Sequence, residues 1–141
     1  MTSTRDPVLF ELFKNAVHAI ADEMALTVVR TTYSGVLKDN MDSSTAFWDA
    51  NGRLVAQGLA LPGHLGSMPF VIRHVEKAFP VETLKPGDSV MLNDSWMGSG
   101  HYPDIFQIMP VFDDGPDGTG EHLGYVAASA HQMDTGGDAP G

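Results

Sequence analysis

Apolar residues near the start of the chain recur at three- and four-residue steps: Val8, Phe10, Leu12, Phe13, Ala16, Val17, Ile20, Ala21, Met24, Val28 and Val29. Asn15, His18, Asp22 and Glu23 fall on the other side, which is the period of a helix. Asp6-Pro7 supplies an N-cap followed by a proline suited to a first helical position, so one long helix is expected over about Pro7 to Thr31. His18 reads as a solvated histidine on the polar side of that helix. A polar stretch, Leu37 to Asp42, then leads into strand patterning. Ser44–Trp48 and Arg53–Gln57 flank Asp49-Ala50-Asn51-Gly52, the signal of a hairpin. The glycine- and proline-punctuated segment Leu61–Pro69 opens a second helix, with Ser67 as its expected N-cap and Phe70, Val71, Val75 and Phe79 as its apolar stripe. Lys85–Asp88 is a turn feeding a short strand, Ser89–Leu92. Two apolar runs follow, Ile105–Phe112 and Leu123–Ala130, on either side of an acidic, glycine-rich loop. Pro110 puts the first of them near an edge or a bulge. The expected class is α+β: a long N-terminal helix and a second helix packed on a mostly antiparallel β-sheet.

The chemistry gathers at the ends of these strands. Asn93–Asp104 carries Gly98 and Gly100, then His101 and Asp104 three residues apart. His131 and Asp134 repeat the spacing after the last strand. If the two long strands pair as a hairpin, positions 104 and 131 lie at the same end of it. Two imidazoles with carboxylates and no sulfur suit Zn(II), Mn(II) or Fe(II) with positions left for water. The competing reading is that these His and Asp pairs brace loops by hydrogen bonds. Asp42, just ahead of the first strand, is either a turn aspartate bonding its own backbone or a further ligand or base at the same centre. His64 is either a substrate contact beside a helix terminus or a histidine packed in a tight loop, and local sequence favours the latter.

Charge and composition narrow the field. Eighteen acidic against eight basic residues give a formal charge of −10, which argues against nucleic acid or an anionic membrane as partner. The absence of cysteine among 141 residues excludes disulfides and thiolate chemistry. No apolar run approaches the roughly 20 residues of a membrane span, and Met1–Pro7 lacks a signal-peptide core, so the cytoplasm is the expected compartment. Neither a phosphate-binding loop of the Gly-x-x-x-x-Gly-Lys-Ser/Thr type nor a Gly-x-Ser-x-Gly elbow occurs. The chain ends in Asp134-Thr-Gly-Gly-Asp-Ala-Pro-Gly141, a loop composition that suggests further sequence beyond it.

Taken together, several segments resemble the hydantoinase B/oxoprolinase family. They are Asp6-Pro7 with its helix, Arg30–Ser34, Asp49–Gln57, His64–Pro69, Pro86–Asp88 through Asp94, Gly98–Asp104, and Ala130-His131 with Asp134-x-Gly-Gly. The resemblance covers residues 1–141 in order and implies the amino-terminal portion of a longer hydantoinase B-like domain. It implies a B-type subunit in a hetero-oligomer whose A-type partner binds ATP and activates a small cyclic amide or a ketone. It further implies a divalent metal held by residues matching Asp42, His101, Asp104 and His131, which would also be the catalytic set. His64 and Ser67 are then expected near substrate, and Asp134 behind a ligand histidine. Many relatives carry a second histidine where this chain has Gln132. The expected activity is ATP-dependent opening of a cyclic amide; ketone carboxylation and a non-catalytic assembly role are the alternatives.

Overall fold

A computed structural model describes residues 6–58, 63–116, 119–134 and 136–139. Leu61 and Pro62 of the expected loop, and Thr135, Pro140 and Gly141 of the expected terminal loop, lie outside the described residues. Helix α1 spans Pro7–Thr31, with Asp6 Oδ1 accepting the Val8 N–H at 2.9 Å as its cap. The short helix α2, Gly35–Asp39, lies where a polar lead-in is expected. Five residues are too few to show a helical period, and only Leu37 among them is buried. Strands β1 (Ser43–Asp49) and β2 (Leu54–Gln57) form the expected hairpin. Helix α3 spans Gly63–Ala78, followed by β3 (Val90–Leu92), β4 (Asp104–Phe112) and β5 (His122–His131).

The five strands form one antiparallel sheet in the order β2-β1-β5-β4-β3. The two-residue period of each strand divides its side chains between two helical layers. Ala46 and Trp48 of β1, Phe106 and Ile108 of β4, and Tyr125 and Ala127 of β5 pack with Met68, Val71, Ile72 and Val75 of α3. Phe47 and Ala56 meet Val17 and Ala21 of α1 on the opposite face. Pro110 lies past the end of β3, beside a register shift between Val111 and Phe112, so its missing N–H falls where the sheet is locally an edge. Among the described residues no helix is long and apolar enough to cross a membrane.

Two expectations change. The apolar stripe of α1 is buried only in its middle, at Val17, Ala21 and Ala25, while Val8, Leu9, Phe10, Leu12 and Phe13 are each at least half exposed. Ser67 is not the N-cap of the second helix, because α3 already begins at Gly63 and continues through Pro69. Ser67 Oγ instead donates to the His64 carbonyl at 2.8 Å. Proline inside a helix lacks an N–H to donate, which is why the sequence reads as a helix starting near it.

Candidate metal centre

Asp104 is the first residue of β4 and His131 the last of β5, and the two are direct register partners. Counting in twos from Phe106 and from Ala127 places both on the α3 face, at the end of the apolar rows. His131 Nδ1 lies 2.9 Å from Asp104 Oδ1, and His101 Nε2 lies 2.9 Å from the same oxygen. The His101 and His131 rings stand 5.0 Å apart, tilted by 37°. One donor atom from each of His101, Asp104 and His131 lies within 4.8 Å of the other two.

The segment before β4 is built to deliver His101. Asp94 Oδ1 accepts the N–H groups of Trp96 and Met97, closing a short 3-10 turn over Ser95–Met97. Asn93 Nδ2 donates to the Tyr102 carbonyl at 3.0 Å, and Ser99 Oγ donates to the Asn93 carbonyl at 3.0 Å, tying the loop across its base. Gly98, at φ +126°, lets the backbone lie against α3, where a Cβ would come within 2.7 Å of Val71 Cγ2. Beyond the ladder, Gln132 N–H donates to the Pro103 carbonyl at 2.8 Å, so the strands stay clamped at the site. The Gln132 side chain donates to the Ala130 carbonyl at 3.3 Å.

Asp42 arrives from the turn between α2 and β1, where Met41 takes the left-handed conformation at φ +53°. Left-handed non-glycine residues recur at functional sites, where surrounding structure holds them. The Asp42 carbonyl accepts the His131 N–H at 3.0 Å, which sets the two segments side by side. Its side chain reaches the cluster through His64, whose Nε2 lies 3.8 Å from Asp42 Oδ1 and 3.2 Å from Asp104 Oδ2. His64 is therefore no loop-packing histidine. It sits in the first turn of α3, its ring edge-on to Phe106 at 6.2 Å. The missed signal is periodic: 64, 68, 71, 72 and 75 lie on one face once α3 is extended past Pro69. Asp134 is exposed and accepts the Gly136 N–H at 2.9 Å, closing its own turn. His18 is exposed on α1, as its polar neighbours imply.

The Asp104 side chain is 6% exposed, against 25% for His131 and 49% for His101, so the cluster is closed behind the carboxylate and open beside the imidazoles. Two imidazole nitrogens and a carboxylate oxygen converge at strand ends in a chain without cysteine, a donor set that fits a divalent first-row ion.

Fold and centre together define a layered α+β domain with an imidazole–carboxylate cluster at one end of its sheet. The chain belongs to the hydantoinase B/oxoprolinase family, whose model matches residues 6–141. It is similar to the 5-oxoprolinase of Saccharomyces cerevisiae, at 39% identity over 136 residues, covering 96% of this chain and 10% of that protein. Among solved structures, the ATP-dependent caprolactamase from Pseudomonas jessenii superposes with a TM-score of 0.82 at 32% identity, covering 98% of this chain and 23% of the other. Nucleotide-free acetone carboxylase superposes with a TM-score of 0.83 at 25% identity, covering 97% and 18%. The chain spans 10% and 24% of the lengths of two other curated relatives, one from Schizosaccharomyces pombe and one from Methanocaldococcus jannaschii.

Proposed function

We propose that this chain carries the hydrolytic centre of the B-type component of an ATP-dependent cyclic amidase. The observation that carries this reading is the convergence of His101 Nε2, Asp104 Oδ1 and His131 Nδ1 at the open end of the β4–β5 pair. These three residues would hold a Zn(II), Mn(II) or Fe(II) ion; Asp42, whose carbonyl accepts the His131 N–H but whose carboxylate is not among the three converging donors, is the proposed fourth member. When bound, such an ion polarises a carbonyl oxygen and lowers the pKa of a bound water towards about 7. The residues themselves do the rest. Buried Asp104 supplies negative charge at a fixed point, and the more exposed His101 and His131 keep the open side reachable by substrate. An A-type partner supplies ATP and activates the amide, and this centre completes ring opening. The amidase reading stands ahead of the ketone-carboxylase reading because identity is higher to the 5-oxoprolinase and the caprolactamase than to acetone carboxylase. The carboxylase reading keeps its support in the TM-score of 0.83.

A turnover assay with the A-type partner separates the two: ATP-dependent amide opening without bicarbonate is expected, and bicarbonate dependence would favour carboxylation. Metal analysis tests the centre itself. The protein is expected to bind one equivalent of metal, and the His101→Ala/His131→Ala double variant to lose it. Equal, low metal content in both under replete conditions would leave an assembly role. Asp104→Ala is expected to abolish turnover with an unchanged circular dichroism spectrum. A large loss of thermal stability in the metal-free variant would instead mark Asp104 as a structural brace.

A further inference from the structure

Asp104 uses its two oxygens for different purposes. Oδ1 lies 2.9 Å from His101 Nε2 and from His131 Nδ1, while Oδ2 lies 3.2 Å from His64 Nε2. At that separation a bare ring nitrogen would be repelled by a carboxylate oxygen, which favours the ring form with its hydrogen on Nε2. His64 Nδ1 then accepts in the neutral ring, and Ser44 Oγ stands within hydrogen-bonding range of it, at 3.4 Å. Ser44 is fully buried in β1, on the same face of the sheet as Ala46 and Trp48. The His64 side chain is 11% exposed and its ring is edge-on to Phe106, so it has little surface to offer a substrate. Nor does His64 belong to the group of three converging donors.

We propose that His64 is the positioning residue of this centre: it holds Asp104 Oδ2 so that Oδ1 is turned to His101 and His131, with Ser44 fixing the ring tautomer. The same Nε2 lies 3.8 Å from Asp42 Oδ1, so one imidazole nitrogen stands within ion-pair distance of both carboxylates. This inference rests on the metal reading above, because it assigns His64 a part in preparing the ligand set. Groups that orient a metal ligand from behind typically contribute 10- to 100-fold in metal affinity.

The test is titration of the purified metal-free protein with Mn(II) and Zn(II) chloride, comparing wild type, His64→Ala and His64→Gln. His64→Ala is expected to bind about 10- to 100-fold more weakly at an unchanged circular dichroism spectrum. Gln, whose side-chain N–H can reach Oδ2, is expected to recover most of the loss. His64→Ala binding as tightly as a competent wild type overturns the proposal, and so does a Gln variant as weak as Ala. A wild type that binds no ion overturns the metal reading, and this proposal with it. A second measurement needs no variant: long-range proton–nitrogen NMR spectra of metal-free wild type should show the His64 hydrogen on Nε2, and a hydrogen on Nδ1 alone would refute the assignment.

Discussion

Gly98 and Gly100 give a controlled comparison of what sets the position of His101. Both have positive φ, +126° and +82°, in the same loop. An added Cβ at Gly98 would meet Val71 Cγ2 at 2.7 Å and the Ser67 carbonyl at 3.3 Å, whereas among the described residues nothing lies within 4 Å of one at Gly100. Alanine at either position incurs backbone strain of about 1–3 kcal/mol. Each also gains about 0.4–1 kcal/mol from a less flexible unfolded chain, so these contributions largely cancel in the comparison. Only Gly98→Ala adds an overlap against packed side chains, which costs about 1–3 kcal/mol more. Gly98→Ala should therefore be less stable than Gly100→Ala by about 1–3 kcal/mol, on the order of 3–10 °C in Tm for a domain of this size. Equilibrium urea unfolding of both variants measures the difference, and metal titration should show the larger loss of affinity for Gly98→Ala. If the two variants unfold within about 0.5 kcal/mol of each other, packing of the loop on α3 is not what holds His101 in place.

Two further outcomes follow from burial and charge. Phe106 is 0% exposed and Phe13 is 62% exposed; Phe106→Ala should cost about 3–5 kcal/mol in urea unfolding and Phe13→Ala no more than about 0.5 kcal/mol. The Arg53 N–H, with help from the Asn51 N–H and the Arg53 guanidinium, holds the Asp49 carboxyl below its ordinary value of 3.8. Because the folded pKa is the lower one, the stability this group contributes is complete above 3.8 and is lost as pH falls through the folded value. Asp49→Asn should thus be less stable than wild type near neutral pH, with the gap closing as unfolding is followed into acid; a gap that stays constant would refute the linkage.

Much of this architecture was legible because local and long-range signals agreed. Asp6-Pro7 and the three- and four-residue steps after it mark α1, and Asn51-Gly52 marks the first hairpin. The pairing of Asp104 with His131 follows from two apolar runs of similar length joined by one loop. The misses have physical causes. Pro69 masks the first turn of α3 and with it the role of His64, since a single sequence cannot show that the helix continues through a proline. The exposed first turns of α1 could not be foreseen either, because periodicity reports which face is apolar and not whether a neighbour is present to cover it. The link from Asp42 to the cluster depends on β1 pairing with β5, a contact across more than eighty residues that no local pattern encodes.

The pairing of Asp104 with His131 also has an evolutionary consequence. The loop joining β4 and β5 lies at the far end of a nine-residue strand, about 30 Å from the centre. Insertions there cost little, since loop closure grows only slowly with length. The register shift at Val111/Phe112 lies on that same side, so a one-residue length change near the turn can be absorbed before it reaches the site. A single deletion inside β4, between that shift and Asp104, would turn the carboxylate from the α3 face to the α1 face. Length variation among descendants of this domain should accordingly accumulate at one end of the hairpin and be purged from the other, so that the tolerated gaps themselves mark where the chemistry is.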